Sequence, residues 1–221
     1  MPHARHFPPR MQPARCLVAG LAAAWLLLNT AQAQPAAAAE PDRAATALAH
    51  QVMAQADAGG RPFAIVDKQA ARMVVFHPDG RQAGSTAVLL GRDRGDGSAP
   101  GVGDRAQTGS LRPGDATTPA GRFDTHPGHN VTGEDVLWMD HAAALAVHRV
   151  RPGPGLASRL RRLATTGGAD KRVTAGCVVV PVAFYEHVVR PVLGLRPVVV
   201  YVIPEDGNAQ GLWQQRERGS L

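Results

Sequence analysis

Cysteine is scarce in this chain: two occur in 221 residues, Cys16 and Cys177, so the disulfide framework that staples many small secreted domains is not available. An apolar run long enough to cross a bilayer is lacking too. The longest, residues 16–28, has 13 residues, short of the ~20 a spanning helix needs. Charge of one sign does not dominate either. The formal net charge of +6 comes from 24 Lys+Arg against 18 Asp+Glu, but Arg5, Arg10 and Arg15 lie in the first 33 residues with no acid, leaving +3 for the rest. So mild a basicity gives no support to nucleic-acid binding and is compatible with an anionic, carboxylate-bearing partner. Metal-ligand spacing is missing as well. Pro127 and Gly128 break any helix that would set His126 and His129 on one face, and Asp140 and His141 add no recognised ligand pattern. Gly101, Gly103 and Ala106 have dinucleotide-motif spacing, but no helix pattern follows them. Neither a metal nor a cofactor is expected.

What is present begins with a targeting signature. A basic stretch with three arginines, the 13-residue apolar run and Ala31, Gln32, Ala33 as a small-x-small site make residues 1–33 a signal peptide, with cleavage expected after Ala33. Cys16 opens the apolar run instead of following it, which argues against a lipid anchor. The protein is thus expected to be exported, to the periplasm, touching the membrane only through the cleaved segment. Removal of that segment leaves Cys177 as the sole cysteine.

Residues 34–60 read as a spacer followed by an amphipathic helix over 42–58, with Ala45, Leu48, Val52 and Ala56 at helical spacing and Gly59 and Gly60 as its stop. From Pro62 the period shortens. Residues 63–66 and 73–76 form a hairpin, His77 to Gly80 a turn, and 85–90 a third strand. Residues 91–115, rich in Gly, Asp, Arg and Ser, have almost nothing to bury and read as a surface loop or a lid over a groove. Strands are expected at 118–123, 136–139 and 145–150, a short helix at 154–166 with Leu156, Leu160 and Leu163 on one face, and a helix at 181–193. Residues 197–203 are a continuous apolar run, a central strand. The domain spans 61–205, its core mainly antiparallel β, and 206–221 is a polar tail.

The remaining cysteine stands in Val173, Thr174, Ala175, Gly176, Cys177, Val178, Val179, Val180. A lone thiol is either a buried small hydrophobe or a reactive group. Gly176 permits unusual dihedrals, Thr174 offers a local hydrogen-bond partner, and Pro181 fits the first turn of a helix, whose dipole just beyond the thiol would favour thiolate. A histidine, His148, lies on an apolar strand upstream.

Three blocks in order, Thr118-Pro119-Ala120-Gly121-Arg122-Phe123, His148 after its apolar strand, and Thr174-Ala175-Gly176-Cys177, resemble the L,D-transpeptidase catalytic domain (YkuD-like) across roughly residues 62–204. The resemblance implies a mainly β fold, a YkuD-like β-sandwich with a few short helices and an N-terminal helix outside the core. It also implies acyl transfer on peptidoglycan stem tetrapeptides. Cys177 would be the nucleophile and His148 its base, with a backbone carbonyl, that of Arg149, orienting the imidazole. Gly176 and Thr174 would give backbone and oxyanion support. The acyl acceptor would be a second stem peptide, water or an amine of a wall-anchored protein. Where the family often has His and then Arg or Asn around the cysteine, this chain has Ala175 and Val179, so Arg149, Lys171 or Arg172 would have to supply the charge that binds substrate. A chain that keeps the fold as a non-catalytic wall-binding protein is the competing reading.

Overall fold

The computed structural model describes residues 42–212. The chain divides into two units, Met1–Pro35 and Ala36–Leu221, and the described residues all belong to the second. The expected signal peptide, the spacer before residue 42 and the last nine residues of the expected tail lie outside the described residues.

Two strands with no polar face set the architecture. β1 (Phe63–Asp67) and β10 (Val198–Ile203) are buried along their whole length and pair in parallel, Phe63 with Val199 through Asp67 with Ile203. Strands covered on both faces are apolar without interruption, and alternate residues point to opposite sides. Ala64, Val66, Val198, Val200 and Val202 accordingly face one cluster, and Phe63, Ile65, Val199, Tyr201 and Ile203 the other. The second cluster is closed by α1 (Arg43–Ala54), whose Ala45, Leu48, Ala49 and Val52 are buried at helical spacing. The N-terminal helix therefore lies outside the main core yet covers the back of the sheet. It stops four residues before the expected end, and a chain reversal with positive φ at Ala56, Gly59 and Gly60 follows.

Around that pair runs an eight-stranded sheet, ordered β3-β2-β1-β10-β5-β6-β7-β9, with β2 (Arg72–Phe76), β3 (Gln82–Ala87), β5 (Gly121–His129), β6 (Asp135–Asp140), β7 (Leu145–Arg149) and β9 (Val178–Val180). β5 is the hinge of the sandwich: residues 121–125 pair with β10 and 126–129 with β6. Beyond it, Leu137, Met139, Leu145, Val147, Val178 and Val180 join the cluster that β1, β2 and β10 build from the other half. A small parallel pair, β4 (Leu90–Gly91) and β8 (Arg172–Thr174), sits beside it.

Several boundaries differ from expectation. The 118–123 strand starts at Gly121 and continues to His129, carrying Pro127 in a strand. That is tolerated because the second half of β5 has β6 as its sole ladder partner, so a missing N–H can face away from the sheet. The segment 91–115 is not a featureless loop. It contains α2 (Val102–Thr108), between left-handed glycines at 101 and 109 and held by a bidentate Arg105–Asp115 pair at 2.7 and 2.8 Å. Its sequence lacks helical periodicity because only Val102 and Gly103 are buried. α3 (Leu156–Ala164) buries Leu163 alone, Leu160 being exposed. The 181–193 helix runs from α4 (Val182–Phe184) through a π turn, Tyr185–Val189, to α5 (Arg190–Leu193). Among the described residues no helix is long and apolar enough to cross a membrane.

Candidate active site

Residues 174–177 form a tight turn between β8 and β9, and its shape follows from three residues. The Thr174 hydroxyl accepts from the Gly176 N–H at 3.1 Å and donates to the Cys177 carbonyl at 2.8 Å, an ST-type clamp. Gly176 has φ +136°, and a Cβ there would stand 2.8 Å from the Thr117 carbonyl, so only glycine fits. Thr118, fully buried, takes a hydrogen bond from the Gly91 N–H at 2.9 Å and donates to the Gly176 carbonyl at 2.7 Å. The Thr-Pro block thus ties the cysteine turn to β4, a positioning role that the sequence did not reveal.

Thr118→Val preserves shape and removes both bonds. A buried N–H and a buried carbonyl are left unpaired, at ~1–3 kcal/mol each. The expected result is a lower urea midpoint with an unchanged m-value, together with altered alkylation kinetics at Cys177. A variant as stable as the parent, with unchanged thiol kinetics, would remove Thr118 from the site.

β7 and β9 run parallel with Val147 opposite Val178 and His148 opposite Val179. Residues paired in this way share a face, so Ala146 and His148 on β7 point the same way as Val179 on β9 and as Cys177 at its approach. A strand spacing of about 4.8 Å and an offset of two residues put the Cα atoms of His148 and Cys177 about 8 Å apart, within reach for side chains on one face. Both line a single groove of about 380 Å³, with Gln107, Asn130, Trp138, His141 and Arg151 among its other walls. Twenty-nine residues of sequence separate them; parallel pairing brings them together.

His148 Nδ1 lies 2.8 Å from the Arg149 carbonyl. A carbonyl only accepts, so Nδ1 carries the proton and Nε2 keeps its lone pair. Burial pushes the imidazole down to about 4, and the Arg151 cation pushes it the same way against the Arg149 carbonyl and Glu134. Cys177 Sγ donates to the Ala144 carbonyl at 3.4 Å, and Ala144 itself has φ 52°, uncommon for a residue with a Cβ. Burial raises the thiol above its ordinary value, opposed by the amides of Ala146 and Cys177 and by Arg151. At neutral pH the resting pair is therefore thiol and neutral imidazole. This corrects the helix-dipole expectation: β9 intervenes between the thiol and the helix, four residues of chain or about 13 Å when extended, and burial sets the sign.

The cations expected to serve the groove are occupied elsewhere. Lys171 is buried, its Nζ donating to the Thr165 carbonyl, the Thr165 hydroxyl and the Gly167 carbonyl at 2.7, 3.1 and 2.6 Å. Arg172 pairs with Glu205 at 2.7 Å. The Arg149 guanidinium turns outward to Asp135 and Glu186 and over the Tyr185 ring, leaving its carbonyl on His148. Gly176 supports the turn, but its N–H is spent on Thr174 and not directed at an oxyanion. Val179 is buried beside Leu89, Val150 and Leu163, and Ala175 is exposed. Arg151, which the sequence reading passed over, lines the groove instead. His126 and His129 stand three apart on β5, which sends them to opposite faces; His129 reaches the groove. Among the described residues no group of three or more His, Cys, Asp or Glu could hold a metal ion.

No family model matches the chain, and no curated protein matches it. Solved structures do. The chain is similar to the Ldtfm–avibactam carbamoyl enzyme at 18% identity and TM-score 0.35, over 63% of this chain and 47% of that one. It is similar to the catalytic domain of the L,D-transpeptidase from E. faecium, solved by NMR, at 20% identity and TM-score 0.34, over 65% and 97%. A third likeness is to the helical cell shape determining protein Pgp2 from Campylobacter jejuni, as its K307A mutant, at 13% identity and TM-score 0.44, over 73% and 56%. The chain thus spans about half the length of the first and third. The solved structures it resembles are L,D-transpeptidases and a cell-shape protein at low identity, and the chemistry of the groove rests on its own residues.

Proposed function

We propose that the protein is an exported, periplasmic peptidoglycan L,D-transpeptidase acting through a thioester on Cys177. The observation that carries this reading is the convergence of His148 and Cys177 on one groove, with Nδ1 of the imidazole held by the Arg149 carbonyl. Nε2 takes the proton from Sγ as sulfur attacks the carbonyl between the third residue of a stem tetrapeptide and its terminal D-alanine. The Cys177 amide stabilises the oxyanion. His148 returns the proton to the departing amine, D-alanine leaves, and the acyl group remains on sulfur. The amine of a second stem resolves it to a 3→3 cross-link. Water in its place gives L,D-carboxypeptidase activity, and an amine of a wall-anchored protein gives anchoring. No step calls for a cofactor or metal.

The test is intact mass of the protein incubated with disaccharide tetrapeptide. The expected result is a transient adduct equal to the substrate less D-alanine, with free D-alanine and a cross-linked dimer or tripeptide in solution. A folded, reduced protein that stays unmodified beside intact muropeptide would overturn the reading. It would favour a wall-binding cleft in which Cys177, bonded to Ala144 and packed beside Leu89 and Val179, is structural.

A further inference from the structure

The groove that holds Cys177 and His148 has one permanently charged side chain in its walls, Arg151, and no carboxylate. Arg151 follows β7 directly, past Val150, whose N–H bonds the Val180 carbonyl at 2.8 Å and anchors this end of the strand to β9. The cation is close enough to both reacting groups to depress the imidazole and the thiol alike. Its Nε lies 2.8 Å from Glu134 Oε2, an oxygen that accepts from Asn130 Nδ2 at 3.1 Å. The contact is an ion pair without hydrogen-bond geometry, Nε being buried and without a hydrogen-bond partner among the described residues, and it sets the Nε edge of the guanidinium toward the β5–β6 turn. A planar guanidinium with five donors retains others for a second, bidentate acceptor, and the side chain is 40% exposed.

We infer that Arg151 is the anion-recognising residue of this groove, binding a carboxylate next to the carbonyl that Cys177 attacks. The charge that Val179 cannot provide, and that Arg149, Lys171 and Arg172 spend on Glu186, Asp135, Glu205 and backbone carbonyls, comes from the end of β7. The anion site itself stands on the geometry. Its assignment to the terminal carboxylate of a stem peptide rests on the transpeptidase reading.

The test separates the two. In the full chain, alkylation of Cys177 by iodoacetate and by iodoacetamide is followed by mass, and the ratio of their rates is normalised to that of a small free thiol. Sulfur displaces iodide in both, and the probes differ in one charge. The parent is expected to favour iodoacetate by about tenfold, the effect of one partly screened charge pair. Arg151→Gln brings the ratio to that of the free thiol and Arg151→Lys restores most of it. A ratio unchanged in folded Arg151→Gln overturns the inference. A second arm compares tetrapeptide acid with its C-terminal amide. The parent prefers the acid in kcat/KM and Arg151→Gln loses that preference, whereas a variant that keeps it overturns the assignment to the peptide carboxylate. If neither peptide is turned over while the alkylation ratio depends on Arg151, the anion site stands and the transpeptidase reading falls.

Discussion

Cys177→Ser is expected to lower the rate of D-alanine release by at least about 10³-fold while leaving the fold in place. Burial already raises the pKa of the thiol, so the groove offers no stabilised anion waiting for substrate. In the proposed reaction the proton leaves as sulfur attacks, taken by a neutral imidazole. A serine hydroxyl, intrinsically a far weaker acid, asks the same base to do much more. Structurally the change is small. Cys177 is partly buried at the rim of the minor cluster of Leu89, Val150, Leu163 and Val179, and oxygen can replace sulfur as the donor to the Ala144 carbonyl. The measurements are steady-state D-alanine release and a urea transition of the same sample. A folded Ser variant within tenfold of the parent rate would mean that the acyl group is not carried on this sulfur.

His148→Gln is expected to cost 10²–10⁴-fold in acylation, the range for loss of a positioned general base, and to change the pH profile in a way that a packing defect would not. The imidazole sits at about 4, so it remains an unprotonated base through neutral and mildly acidic pH. The parent acylation rate should keep an acid limb near pH 4 and rise with pH toward the elevated thiol. The Gln variant should lose the acid limb and depend on bulk hydroxide alone. Stability carries the same sign. Between about pH 4 and the ordinary histidine value near 6.5, the unfolded chain binds a proton at His148 that the folded chain refuses, so stability falls as pH falls through this window. His148→Gln should flatten that part of the curve. Melting temperatures of parent and variant that decline in parallel from pH 7 to pH 4.5 would contradict the assignment.

Much of the fold was legible because the strands announce themselves. Residues 63–66, 73–76 and 198–203 are short, β-branched and bounded by turn residues, and they form β1, β2 and β10 nearly as expected. The helix at 43–54 was legible from Ala45, Leu48 and Val52. What misled was chemistry without periodicity. α2 has one buried apolar side chain and owes its shape to Arg105, Asp115 and two left-handed glycines. The second half of β5 hides behind Pro127 and Gly128, residues that mark a turn unless a strand has an open side.

The sequence by itself determined which groups could do chemistry: a cysteine, Cys177, in a Thr-x-Gly-Cys turn, and a histidine, His148, on an apolar strand with the Arg149 carbonyl one residue on. These are local, set by adjacent residues and by what each side chain can donate or accept. Tertiary structure alone decided what surrounds them. It consumed Lys171, Arg172 and the Arg149 side chain in internal pairs, raised the thiol by burial instead of lowering it by a helix dipole, put Thr118 under the cysteine turn from 58 residues away, and left Arg151 in the groove wall. Burial and pairing depend on strands that meet only when the sheet closes: β9 docks on β7 and not on its neighbours in sequence, and that parallel contact sets the distances and the local field on which the chemistry depends.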